Sequence, residues 1–311
     1  MDLSRGTRRR VSSPGSHMNL ATALALVSGT GWGVNMIVVR WALDRTGARS
    51  DVGSLVSIGV AAVVATAAAI VTGADTAGLT ADNIARFALV GAIAPGAAQT
   101  LFLGSIRTIG PARSGVLVGT APMFSVVLAI LFLGEGWKAE VVVGTLATVA
   151  GGVIIARVAE TDASVRRVGA IGVGLAVVTA LAFGVRDVVA RHFTGGTRIA
   201  VPWAAAVVLT SGAAVLLVIT LFRTRNLVVE VASALPQMLW SGLAVGIALP
   251  VLLEGLSRGE VGVVAPINNG AQVITVVVLA AVVFKRRDHR LRTVLAVVLV
   301  LAGGTLIGVT Q

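Results

Sequence analysis

The chain has 311 residues, 56% of them hydrophobic and only 13% charged, with a formal net charge of +11. Soluble domains carry about 25% charged residues, which coat their surfaces, so this composition excludes an ordinary water-soluble fold. It contains no cysteine, which excludes disulfides, thiolate chemistry and cysteine-held clusters.

In lipid every backbone N–H and C=O must be satisfied within the protein, which leaves helices or closed barrels. Barrel strands alternate apolar and polar residues over about 10 positions. The apolar runs here last about 18–24 residues with no period of two, and this predicts membrane-spanning helices. The excess of Lys and Arg lies mainly in loops and in the amino-terminal tail. In a membrane protein such charge meets anionic lipid head groups rather than nucleic acid. His17, His192 and His289 are far apart in sequence and suggest no metal site.

Residues 1–17 (MDLSRGTRRRVSSPGSH) are polar and Arg-rich, and are expected to be a disordered tail. Gly15-Ser16-His17-Met18 looks like the scar of a cleaved tag, with Met18 as the natural start. Ten apolar segments follow, near 20–43, 53–72, 86–106, 112–133, 140–157, 169–193, 199–222, 237–256, 261–284 and 291–309. The connections are short, and none is long enough to be a soluble catalytic or ATP-binding domain.

An internal repeat is visible. Gly31-Trp32-Gly33-Val34-Asn35 with Arg40-Trp41 matches Ala182-Phe183-Gly184-Val185-Arg186 with Arg191-His192. Ala150-Gly151-Gly152-Val153-Ile154 matches Ala302-Gly303-Gly304-Thr305-Leu306. The chain therefore divides into a first five-helix repeat (18–157), a linker (158–168) and a second five-helix repeat (169–311). An odd number of helices per repeat inverts the second half in the membrane. The expected fold is an all-α membrane protein, about ten transmembrane helices as two inverted five-helix repeats around a central cavity. Inverted repeats around a midplane site are an architecture of secondary transporters.

Ionisable groups inside apolar segments cost roughly 2.5–3.5 kcal/mol each on insertion scales, so those present are informative. The sixth segment holds Arg186, Asp187 and Arg191. Asp187 and Arg191 are four apart and are expected to form a structural ion pair on one face. Arg186 points about 100° away and is the first candidate for substrate contact. Asp187 is a candidate proton-coupling carboxyl, because poor solvation favours its protonated form. In the first segment Trp32 and Asn35 share a face and would suit a small polar or aromatic ligand. The ninth segment carries Asn268, Asn269 and Gln272 behind Pro266, amides able to line a polar pore. Gln99, beside Pro95, is a similar candidate. Glu254 and Arg258 have the spacing of a surface pair, and Glu135 reads as a loop or helix-start carboxylate. Glycines four apart, such as Gly29/Gly33 and Gly242/Gly246, mark helix interfaces.

No phosphate-binding Gly-Lys loop, zinc-binding helix or Ser/His/Asp set occurs, so neither an enzyme nor a cofactor is expected. A lipid-acting enzyme would need clustered carboxylates or histidines, which are scarce. The readings that remain are a secondary transporter of small metabolites, a transporter of amphiphilic drugs or lipids, and a non-transporting scaffold.

Thr120-Ala121-Pro122-Met123-Phe124, Leu131-Phe132-Leu133-Gly134-Glu135, Gly144 and Gly151-Gly152-Val153, with Trp32-Gly33-Val34-Asn35, resemble the drug/metabolite transporter superfamily of the ten-helix EamA type. The resemblance implies ten helices in a basket, transport of small metabolites or amphiphiles by alternating access, frequent use of a proton gradient, and a bacterial inner-membrane location. Amino acids and related compounds, exported, are the first expectation. Duplication within one chain suits a functional monomer. The second half departs from the pattern: Phe284-Lys285-Arg286-Arg287-Asp288 stands where a second Leu-Gly-Glu turn would fall. The resemblance implies termini inside, whereas the distribution of Lys and Arg among the loops predicts them outside.

Overall fold

The computed structural model describes residues 14–46, 49–109, 114, 117–158 and 169–283, with 298–299, 302–303 and 306. Among these residues the protein is all-α, with nine helices. Helix α1 is Pro14–Thr46 and α2 is Ser50–Val71. Helix α3 runs as Ala81–Gly91, kinks across Ala92–Ala97, and continues as Ala98–Ile109. Then come α4 (Ala121–Leu133), α5 (Ala139–Val158), α6 (Gly169–Gly196), α7 (Val201–Leu221), α8 (Leu227–Arg258) and α9 (Val261–Val283). Among the described residues six spans are long and apolar enough to cross a membrane: Leu20–Val39, Asp51–Val71, Ala81–Ser105, Ala170–Gly196, Val201–Leu221 and Leu227–Arg258.

The helix ends follow from local chemistry. Pro14 opens α1, where its missing N–H costs nothing, so the helix begins inside the tail expected to be disordered; the rest of that tail lies outside the described residues. The Thr80 hydroxyl caps α3 by accepting from the Asn83 N–H at 3.3 Å. Within α3, Pro95 lacks a donor and Ala94 is extended (φ −150°, ψ 123°), which breaks the helical ladder. Helix α4 runs from Ala121 with Pro122 in its first turn; ahead of it Ser114 and residues 117–118 are helical too, and the rest of the start of the expected segment near 112 lies outside the described residues. Helix α8 starts at Leu227, ahead of the expected 237, its apolar first turns interrupted by Glu230 and the exposed Ser233. The expected linker from 159 onward lies outside the described residues, as does the tenth segment apart from its few residues named above.

Helix partners follow an exchange rule. Helix α1 packs on α8 and α9, while α6 packs on α3 and α4; α2 packs on α8, while α7 packs on α3; and α2 packs on α7. Lipid offers little hydrophobic drive between helices, so close approach of small residues must supply the contact. A Cβ on Gly29 of α1 would stand 2.1 Å from the Asn268 carbonyl oxygen of α9, and one on Gly242 of α8 would stand 2.4 Å from Val60 Cβ of α2. The largest fully buried side chains include Leu249, Leu252, Leu253 and Leu256 of α8 and Phe87 of α3.

Candidate functional site

A small cavity of about 50 Å³ lies where α1, α2, α3 and α6 meet. Trp32 and Asn35 enter it from α1, Ser54 and Ser57 from α2, Pro95 and Gln99 from α3, and Phe183 and Arg186 from α6. The break at Ala94–Pro95 places Pro95 and Gln99 on its wall. Its volume holds one or two waters, each of which takes about 30 Å³ in the liquid.

Hydrogen bonds tie the walls together. Asn35 Oδ1 accepts from the Ser241 hydroxyl of α8 at 2.6 Å, and Ser241 and Ser57 share a hydrogen bond of 2.5 Å. Gln99 Nε2 donates to Ser54 Oγ at 3.1 Å. The Trp32 Nε1–H is buried and has no acceptor among the described residues.

Arg186 and Asp187 are both buried, at 8% and 6% exposure. The expected Asp187–Arg191 pair does not form. Arg186 instead turns back on its neighbour, with Nε and Nη2 donating to Asp187 Oδ1 at 3.0 and 2.8 Å. The Ser125 hydroxyl of α4 donates to Asp187 Oδ2 at 3.1 Å, and the guanidinium lies over the Phe183 ring, 5.1 Å from its centroid. Arg191 donates to the Leu256 and Ser257 carbonyls at the end of α8, at 2.9 and 2.8 Å. It satisfies orphan carbonyls there, and its charge suits a helix C-terminus.

The structure thus gathers Trp32, Asn35, Gln99 and Arg186 around one cavity. Asn268, Asn269 and Gln272 of α9 are not in its lining. Asn268 Oδ1 and Asn269 Nδ2 are buried without partners among the described residues, and Gln272 Nε2 lies 3.0 Å from Met36 Sδ. Ser54, Ser57 and Ser241 were not expected. Their only sequence signal is the spacing of Ser54 and Ser57, three apart on one helix face. Glu254 and Arg258 form the expected surface pair.

Beside the end of α4 a wider, open hollow of about 400 Å³ is lined by Glu135, Arg191, His192 and Glu260 with neighbouring glycines. Gly134 adopts a left-handed conformation (φ 68°) that ends α4. The following Glu135 then reaches the start of α9, where Oε1 accepts from the Val261 N–H at 2.7 Å and Oε2 from the Gly262 N–H at 2.9 Å. Glu135 caps a helix, but one 126 residues further along the chain. Lys138 pairs with Glu260 at 3.6 Å.

Burial raises the Glu135 carboxyl above its ordinary range; the two N–H donors and Arg191 oppose this, and Glu260 adds to it. Folding therefore takes up a proton above the ordinary glutamate value of about 4.3. The stability contributed by Glu135 falls as pH rises through that window. The melting temperature of Glu135→Gln relative to the parent in detergent is expected to climb with pH there. A difference that stays flat with pH would refute this.

The EamA-like transporter family matches residues 19–157. No curated protein matches the sequence. A solved structure, titled only "Crystal structure of protein", superposes with a TM-score of 0.73 at 18% sequence identity, covering 92% of this chain and 95% of that chain, and so shares its fold. With long apolar spans around a buried polar cavity, the chain is an integral membrane protein, and across its first five helices, residues 19–157, it carries a domain that matches the EamA-like transporter family of the drug/metabolite transporter superfamily.

Proposed function

We propose that the protein is a secondary transporter of small metabolites, working by alternating access, and that the cavity at Arg186 is its substrate site. The observation that carries this is the convergence of Trp32, Asn35, Gln99 and Arg186 from three helices on one buried cavity. The exchange of helix partners between the two halves supports two inverted five-helix repeats, 18–157 and 169–311. Such repeats rock against each other around a fixed site. Arg186 offers positive charge and Trp32 an unused donor beside an aromatic face, which suits amino acids or related compounds, moved outward across a bacterial inner membrane. Phe183 and Trp32 together favour an amphiphile as the second reading. Asn268, Asn269 and Gln272 would join the pathway from α9 in another state. Asp187, held by Arg186 and Ser125, is the candidate proton-coupling group, and the transporter acts as a monomer.

Flux of amino acids and related metabolites into proteoliposomes tests the reading. Asn35→Ala and Gln99→Ala are each expected to lower flux about fivefold, the scale of one lost hydrogen bond. Unchanged flux in both would remove the site. An imposed pH gradient is expected to drive the movement, and indifference to the gradient would demote Asp187 to a partner of Arg186.

A further inference from the structure

The face of the protein where α4 ends and α9 begins is stitched across the two halves by several contacts. Glu135 holds both of the first N–H groups of α9, and Lys138 reaches Glu260 in the turn before it. The Trp203 Nε1–H at the start of α7 donates to the Ala74 carbonyl after α2, at 3.1 Å. Gly78 lies so close to the 198–199 backbone that a Cβ there would meet the Arg198 carbonyl oxygen at 2.5 Å. Most of these are backbone and loop contacts. Glu135 differs, because one carboxylate bridges two N–H groups and both of its bonds are lost together once it lets go.

The repeat does not carry this carboxylate into the second half of the sequence. Displaced by the 151–152 residues that relate the halves, the position of Glu135 falls on Arg286 or Arg287. A guanidinium has no acceptor for a helix N-terminus. Arg186 and Arg191 are five residues apart on α6, roughly 7.5 Å along the helix axis. The hollow beside Glu135 and the cavity at Arg186 are thus stacked along one helix, with the latched face outermost.

We infer that Glu135 is a latch that keeps the Arg186 cavity closed to the face where α4 ends and α9 begins. This rests on the alternating-access reading. Glu135 touches no substrate; it is a positioning residue that acts through α9 and sets how the two access states are populated.

The chain has no cysteine, and Val39 of α1 also lines the cavity, so Val39→Cys is a clean reporter. Its reaction with a membrane-impermeant maleimide is measured from each side of sealed vesicles. Adding Glu135→Ala is expected to raise the rate from the Glu135 face about tenfold and to lower the rate from the opposite face, since one charge-assisted cap is lost. Glu135→Gln, which keeps one carbonyl acceptor, is expected to fall between. Equal rates with and without Glu135, or rates that fall together from both faces, would overturn the latch while leaving alternating access standing. A Val39→Cys that is never labelled from either face, in any variant, would overturn both. Should the Glu135 variants fail to fold, a Lys138→Cys/Glu260→Cys cross-link in a chain retaining Glu135 serves instead. It is expected to stop flux until reduced, and undiminished flux through the cross-linked protein would overturn the latch.

Discussion

Replacing Arg186 with Ala is expected to abolish flux and to lower stability by about 3–5 kcal/mol, the cost of leaving a buried charge without its partner. Arg186 supplies both strong donors to Asp187 Oδ1. Without it, Asp187 keeps only the Ser125 hydroxyl among the described residues. The two effects separate in the double variant Arg186→Met/Asp187→Leu. Removing both charges takes away the unpaired carboxylate, so the melting temperature in detergent is expected to return close to that of the parent. Flux is expected to stay absent, because the guanidinium on the cavity wall is still missing. A double variant that transports would show that Arg186 serves only to neutralise Asp187.

Gly91→Ala is expected to destabilise the protein at the upper end of the 1–3 kcal/mol usual for overpacking, or beyond it. Gly91 closes the first half of α3 against α7. A Cβ there would fall 2.0 Å from the Val208 carbonyl oxygen and 2.1 Å from Ser211 Oγ. The serine side chain can turn away, but the carbonyl belongs to helical backbone and cannot move without moving α7. Because α3 carries Pro95 and Gln99 to the cavity, flux is expected to fall with stability. Gly59→Ala provides the control: nothing lies within 4 Å of its added carbon, and helix propensity favours Ala over Gly by about 1 kcal/mol. Thermal unfolding of both variants in detergent checks this, and equal melting temperatures would refute it.

Much of the architecture was legible because lipid imposes a single demand. Nine expected segments correspond to the nine helices, since any stretch that must bury its own backbone and face hydrocarbon shows itself in hydropathy. The errors came where that demand lapses. Helix α8 extends ten residues outward past the expected apolar segment, through turns in which Glu230 and Ser233 interrupt the apolar run. In the site, Trp32, Asn35, Gln99 and Arg186 were legible because polar groups are costly among apolar neighbours. Ser54, Ser57 and Ser241 were not, because a serine hydroxyl can satisfy itself on its own helix and so raises no signal until its partner is known. The pairing of Asp187 was misread for a geometric reason. Angular spacing on a helix describes Cβ directions, whereas a guanidinium on a long stem can curl back to the adjacent carboxylate. Glu135 was legible as a carboxylate at a turn, but its partner on α9 was out of reach of any local pattern.

The exchange of helix partners has a consequence for how the chain is made. Helix α1 packs chiefly on α8 and α9, and hardly on α2. During synthesis α1 enters the membrane first, yet its neighbours are complete only when the ribosome has passed residue 283. Until then the face of α1 that carries Gly29 and Gly33, and the separate face that carries Asn35, must be sheltered by lipid, by the insertion machinery or by passing contacts. The earliest helix is thus among the last to be packed, and the decisive pairings are the most distant in sequence, the kind that slow folding. Substitutions on the packing face of α1 are therefore expected to reduce the yield of assembled protein more than they reduce the stability of the protein that does assemble.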